Sequence, residues 1–222
     1  PGGSTGHASN FIFPVDHNKE MALLGEQSAN QFRDMELSVD SGGIEVARTE
    51  ERMHELDRRM TSAMAWGIEA HMLTPAGVKE LVPFINEDVI LGGFYCPTVS
   101  VVDSLETGTT MRREAIEMVG CRVFANTEVL DVLTEDGPNA GDRTVTGVVT
   151  DKGTIEAGYV VIACGVWSNR IANMAGAVIP LVPTVHQMAD VGPMDILAET
   201  NNEIGYPIVR DMDPLCYERQ SA

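Results

Sequence analysis

Three strand-type segments follow one another between residues 121 and 165 with no helical stretch to separate them. They read CRVFANTEVLDVLTED, RTVTGVVTDKG and TIEAGYVVIACG, and the turn sequence PNAGDR divides the first two. Such a succession builds hairpins rather than a strict β-α-β alternation. Helical periodicity is present elsewhere. From Asn18 to about Leu37, Met21, Leu24, Ser28, Phe32 and Met35 recur at three- and four-residue steps. Thr49 is a good N-cap for EERMHELDRRMTSAMAW, whose glutamates sit at the positive end and which Gly67 stops. Thr74-Pro75 opens a short helix by the same logic, and Asp103 or Ser104 caps another that runs to about Val119. Further strands are expected at GGIEVART, GGFYCPTVS, VIPLVPTVHQMADV, YPIVRD and LCYER. The expected fold class is therefore α/β in the mixed α+β sense, with part of a nucleotide-binding layer interleaved with an antiparallel sheet and helices.

Charge limits the partners. Thirty-three acidic residues against 15 basic ones give a formal charge of −18, which repels nucleic-acid phosphates and anionic lipid head groups. No run of about 18 apolar residues suggests a membrane span. The opening PGGSTGHASN does not have the pattern of a signal peptide. The four cysteines, Cys96, Cys121, Cys164 and Cys216, have no C-x-x-C spacing, so a zinc site or disulfide framework is not expected. A reducing compartment follows, with cytoplasm as the default.

Four segments carry candidate chemistry. GGSTGHAS, residues 2 to 9, sets glycines and the hydroxyls of Ser4 and Thr5 ahead of the ring nitrogens of His7. That arrangement suits a phosphate or a flavin edge, and equally an undistinguished loop. YVVIACGVWSN, residues 159 to 169, reads as a buried strand that turns at Gly165 into a helix opened near Trp167 and Ser168. A nucleotide or a plain parallel strand would both fit it. His186 in LVPTVHQ and Tyr217 in LCYERQ are each consistent with catalysis or with packing.

Together and in this order, these segments resemble the FAD-dependent amine oxidoreductases of the D-amino-acid oxidase superfamily, most of all the dimethylglycine oxidase and dehydrogenase group with sarcosine dehydrogenase beside it. The resemblance is carried by GGSTGHA, GGIEVARTEERMHEL, AWGIEAHMLTPAGVKELVPF, ILGGFYCP, VVIACGVWSNRIANMAG, PLVPTVHQ and YPIVRDMD. It implies that His7 bonds covalently to the flavin 8α-methyl carbon, with Ser4, Thr5, Gly6, Ala8 and Phe11 beside the same cofactor. It further implies Val129 at the adenosine end, Gly165 and Trp167 near the dinucleotide, and His186 and Tyr217 as the pair facing substrate. The lobes it implies are residues 1–40 and 120–176 for FAD, and 41–119 and 177–222 for substrate.

The implied reaction takes hydride from an N-methyl amino acid of the dimethylglycine or sarcosine type. Oxygen or an electron-transfer protein would reoxidise the flavin, and formaldehyde or folate capture would follow. Another oxidase of the superfamily, acting on glycine or sarcosine, remains an alternative, as does a catalytically silent regulatory relative. No strand with a G-x-G-x-x-G turn opens these residues, so they read as an internal portion of a longer chain that need not hold FAD alone. TVSV at 98–101 stands where the superfamily usually has a Gly-containing turn. If the source is eukaryotic, the mitochondrial matrix replaces the cytoplasm as the expected compartment.

Overall fold

The computed structural model describes residues 3–16, 18–198 and 204–220. The chain divides into two compact units: Pro1–Met111 with Val191–Ala222, and Arg112–Asp190.

The first unit is built around a five-stranded sheet in the order β11-β10-β3-β5-β4. Its strands are β3 (Gly43–Ala47), β4 (His71–Leu73), β5 (Gly92–Cys96), β10 (Ile208–Asp211) and β11 (Cys216–Glu218). β10 runs parallel to β3, whereas the other pairings are antiparallel. Every residue of β3 is buried, because both faces of the sheet are covered. On one face, Leu56 and Ala63 of helix α2 (Glu50–Trp66) join Ala47, Phe94 and Ile208 in the core. On the other, Val78 of α3 (Pro75–Leu81) and Val82 just after it meet Ile44, Val46 and Val209. The alternation of GIEVA thus feeds two cores, and Glu45 falls on the α2 side.

The helix signals act as their chemistry requires. Thr49 accepts a hydrogen bond from the Arg52 amide, Thr74 one from Gly77, and Asn18 one from Met21 at the start of α1 (Lys19–Asp34). Gly67 closes α2 in the left-handed region at φ 74°, where a side chain would be strained. For α4 (Ser104–Val119), Asp103 is the cap, its carboxylate accepting from the amides of Leu105 and Glu106. A second, small antiparallel sheet sets β6 (Ser100–Val102) between β1 (Phe11–Ile12) and β2 (Ser38–Asp40).

The second unit carries the antiparallel sheet β7 (Val129–Asp136), β8 (Arg143–Thr150) and β9 (Gly153–Glu156), with α5 (Ser168–Met174) contacting β7. The hairpin succession anticipated in the sequence is present here, within a mixed α/β fold. Three strand expectations fail. Residues 121–128 contain no strand, and pairing starts at Val129. YVVIAC has none either, and Tyr159 and Val161 are 93% and 87% exposed. The stretch 178–191, with His186, is likewise irregular and mostly exposed. Apolar side chains suit a buried strand, but the strand also needs a neighbour for its N–H and C=O groups. Among the described residues none of these stretches has one.

Candidate functional site

The loop that opens the described chain is compact. Ser4–His7 form a single 3-10 turn, all four residues are exposed, and Ala8 leaves it in an extended conformation. The Ser104 hydroxyl donates to the Thr5 carbonyl at 2.7 Å, tying the turn to the start of α4. His7 has no hydrogen-bond or ion-pair partner among the described residues, so both ring nitrogens are available.

Beyond this turn the chain enters β1, where Phe11 sits in a group of rings. Phe11 meets Phe13 edge-on at 6.2 Å between centroids and Tyr217 at 5.1 Å. Two residues singled out for different roles, one beside the cofactor and one facing substrate, are therefore in contact. Tyr217 remains 43% exposed. Its neighbour Cys216 has its thiol held above the usual range, by desolvation first and then by the carboxylates of Asp211 and Glu218, against the opposing pull of Arg48. A thiolate nucleophile beside Tyr217 is thereby disfavoured.

Two members of this neighbourhood were not singled out in the sequence. Arg210, on β10, lies over the Phe13 ring at 4.9 Å and the Phe11 ring at 5.9 Å. Glu45, on β3, is fully buried, and its Oε2 faces Arg59 Nη1 at 2.9 Å and Arg210 Nη1 at 3.5 Å. Arg59 also bonds Glu55 at 3.0 Å. The available signal was a charge set against apolar strand residues, Glu45 within GIEVA and Arg210 directly after PIV.

The remaining candidates lie in the second unit. Val129 begins β7 opposite Thr150. Gly165 opens a 3-10 turn at φ 53°, and Trp167, at its end, is exposed and leads into α5. His186 is exposed and has no hydrogen-bond partner among the described residues.

A flavin would find matching chemistry on the first unit. The turn offers an unengaged imidazole and two exposed hydroxyls, and an aromatic group follows four residues beyond His7. These groups fit the edge of an isoalloxazine ring, which calls for hydrogen-bond donors and an apolar wall.

Comparison with known proteins places this scaffold. The sequence profile of the FAD dependent oxidoreductase (DAO) family matches residues 1–222, and the chain belongs to that family. Mitochondrial sarcosine dehydrogenase of Mus musculus is 32% identical over 228 residues, covering 98% of this chain and 24% of that protein. The mitochondrial pyruvate dehydrogenase phosphatase regulatory subunit of Mus musculus is 27% identical over 226 residues, covering 98% of this chain and 24% of its own length. The chain thus spans about a quarter of the length of these relatives. Among solved structures, L-proline dehydrogenase from P. horikoshii shares the fold with a TM-score of 0.76 at 21% identity, covering 95% of this chain and 55% of that one.

Proposed function

We propose that this chain is part of a flavoenzyme that oxidises an N-methyl amino acid of the sarcosine or dimethylglycine type. The observation that carries the proposal is the contact between Phe11 and Tyr217, which joins the strand after the His7 turn to the middle of β11. Family membership and the likeness to sarcosine dehydrogenase support the same reading.

In this assignment His7 is the covalent tether, and Ser4, Thr5, Gly6, Ala8 and Phe11 hold the flavin end of FAD. Val129, Gly165 and Trp167 serve the adenosine end. FAD, when bound, supplies the two-electron acceptor for the hydride that leaves the N-methyl group. The substrate amine must be neutral, since its lone pair stabilises the iminium product that water then splits into formaldehyde and the demethylated amine. Tyr217 orients that amine or relays its proton, and His186 shares that role. Oxygen or an electron-transfer protein takes the electrons onward, and folate capture is the alternative fate of the one-carbon unit.

The likeness to a regulatory subunit gives weight to one competing reading, a flavin-binding protein that turns nothing over. A single set of experiments on the full-length protein separates the two. Acid-precipitated wild type should keep its yellow colour, and His7→Ala should lose it to the supernatant. Anaerobic bleaching of the flavin by sarcosine or dimethylglycine should slow by at least about tenfold in Tyr217→Phe, within the range of a lost proton-transfer group. A colourless wild-type pellet refutes the tether. Bound flavin that neither amine bleaches refutes the N-methyl reading, and a flavin that glycine also leaves oxidised favours the silent one.

A further inference from the structure

Glu45, Arg210 and Tyr217 stand in one row across three neighbouring strands. Arg210 is the register partner of Glu45 in the parallel β3–β10 pair, and Tyr217 is the partner of Arg210 in the antiparallel β10–β11 pair. The row runs from the centre of the sheet to its outer strand. Side chains at paired positions lie on the same face, so each can act on the next.

Core packing alone does not account for this row. Glu45 is 0% exposed and lies on the face where α2 packs, yet it carries a carboxylate whose Oε1 has no partner among the described residues. An apolar side chain of similar volume would serve stability there as well or better. The carboxylate does have one directional consequence. Its Oε2 is shared between Arg59 and Arg210, and Arg210 leans on the faces of Phe13 and Phe11 while its Nη2 donates to Met212 Sδ at 3.4 Å. Phe11, fixed in this way, presses edge-on against Tyr217.

We propose that Glu45 is a positioning residue for Tyr217, acting through Arg210 and Phe11. The inference rests on the reading in which Tyr217 faces the substrate. In it the buried charge anchors the guanidinium that holds the ring wall in place. Arg59 balances the charge of Glu45 from α2.

The test uses the full-length flavoprotein and acetylation of tyrosines by N-acetylimidazole, followed by peptide mapping. The same Tyr217 peptide from the denatured protein is the reference. Glu45→Gln and Arg210→Met should each raise the native acetylation of Tyr217 about fivefold against that reference, and the double variant should go no further, as expected of two residues acting in series. In both single variants the maximal rate of flavin bleaching by dimethylglycine should fall more than the half-saturating concentration changes. Unchanged Tyr217 acetylation in Arg210→Met overturns the proposal, and so does a double variant whose effect is the product of the two singles. Should Glu45→Gln fail to fold, Arg210→Met alone still decides. If Tyr217→Phe bleaches normally, the substrate-facing reading falls. Altered acetylation would then still establish the Glu45–Arg210 row as a holder of the ring.

Discussion

Replacing Arg59 with methionine isolates the energetic weight of the buried charge. Glu45 is fully buried, and its hydrogen-bonded partner is Arg59 at 2.9 Å. Arg210, at 3.5 Å, is a weaker contact. Methionine fills most of the space of the arginine stem but leaves the carboxylate with that contact alone. Removing one partner of a buried ion pair costs about 3–5 kcal/mol, because the surviving charge has neither water nor a counter-ion. Arg210 offsets part of this, so a loss of about 3 kcal/mol is expected in Arg59→Met. The lost bond to the partly exposed Glu55 adds little.

Native-state hydrogen exchange in the full-length protein, read on peptides covering residues 43–47, reports this directly. Opening of β3 should become about 150-fold more frequent, the equivalent of about 3 kcal/mol. In Glu45→Gln/Arg59→Met the charge is gone with its partner, and most of the protection should return. Two results refute the reasoning: exchange in Arg59→Met within about threefold of wild type, or a double variant no better protected than the single.

Other substitutions read other parts of the structure. A methyl group at Gly43 would lie 2.7 Å from Phe13 Cε2 and 2.8 Å from Val99 Cγ2, so Gly43→Ala should cost about 1–3 kcal/mol by overpacking, measured as a lowered unfolding midpoint. Leu56→Ala opens a cavity beneath the sheet, where the residue is fully buried, and should cost about 2–5 kcal/mol in the same assay. Burial, more than any other influence, pushes the Cys96 thiol up, so less of it is thiolate at any pH. Iodoacetamide at pH 8 should therefore label exposed Cys121 and Cys164 well before Cys96, and raising the pH should narrow the gap only above the ordinary thiol range.

Much of the fold was legible because its signals are local. Thr49, Gly67, Thr74 and Asp103 act through the amides or carbonyls of their own turn, and each marks a helix end where the sequence placed it. The β7–β8 hairpin is likewise a matter of near neighbours. Residues 159–164 show the limit: their apolar side chains describe a strand, but whether a strand forms depends on what lies alongside. The candidate site divides in the same manner. The His7 turn can be read from seven consecutive residues, whereas Arg210 gains its meaning from Phe11, Phe13 and Glu45, which only the tertiary structure brings to it.

The parallel pairing of β3 with β10 also sets a timetable. Residues 43–47 and 208–211 cannot meet until more than 160 residues of intervening chain have left the ribosome, since Ile208 pairs with Gly43. Until then β3 has its antiparallel partner β5 on one side and, on the other, an open edge of unpaired N–H and C=O groups flanked by apolar side chains. Such an edge is a template for pairing with another nascent chain. The buried charge in the middle of that strand, Glu45, then has a role before folding is complete. A carboxylate in the middle of the open strand, held by Arg59 alone until Arg210 is made, sets like charges against each other when two such strands stack in register.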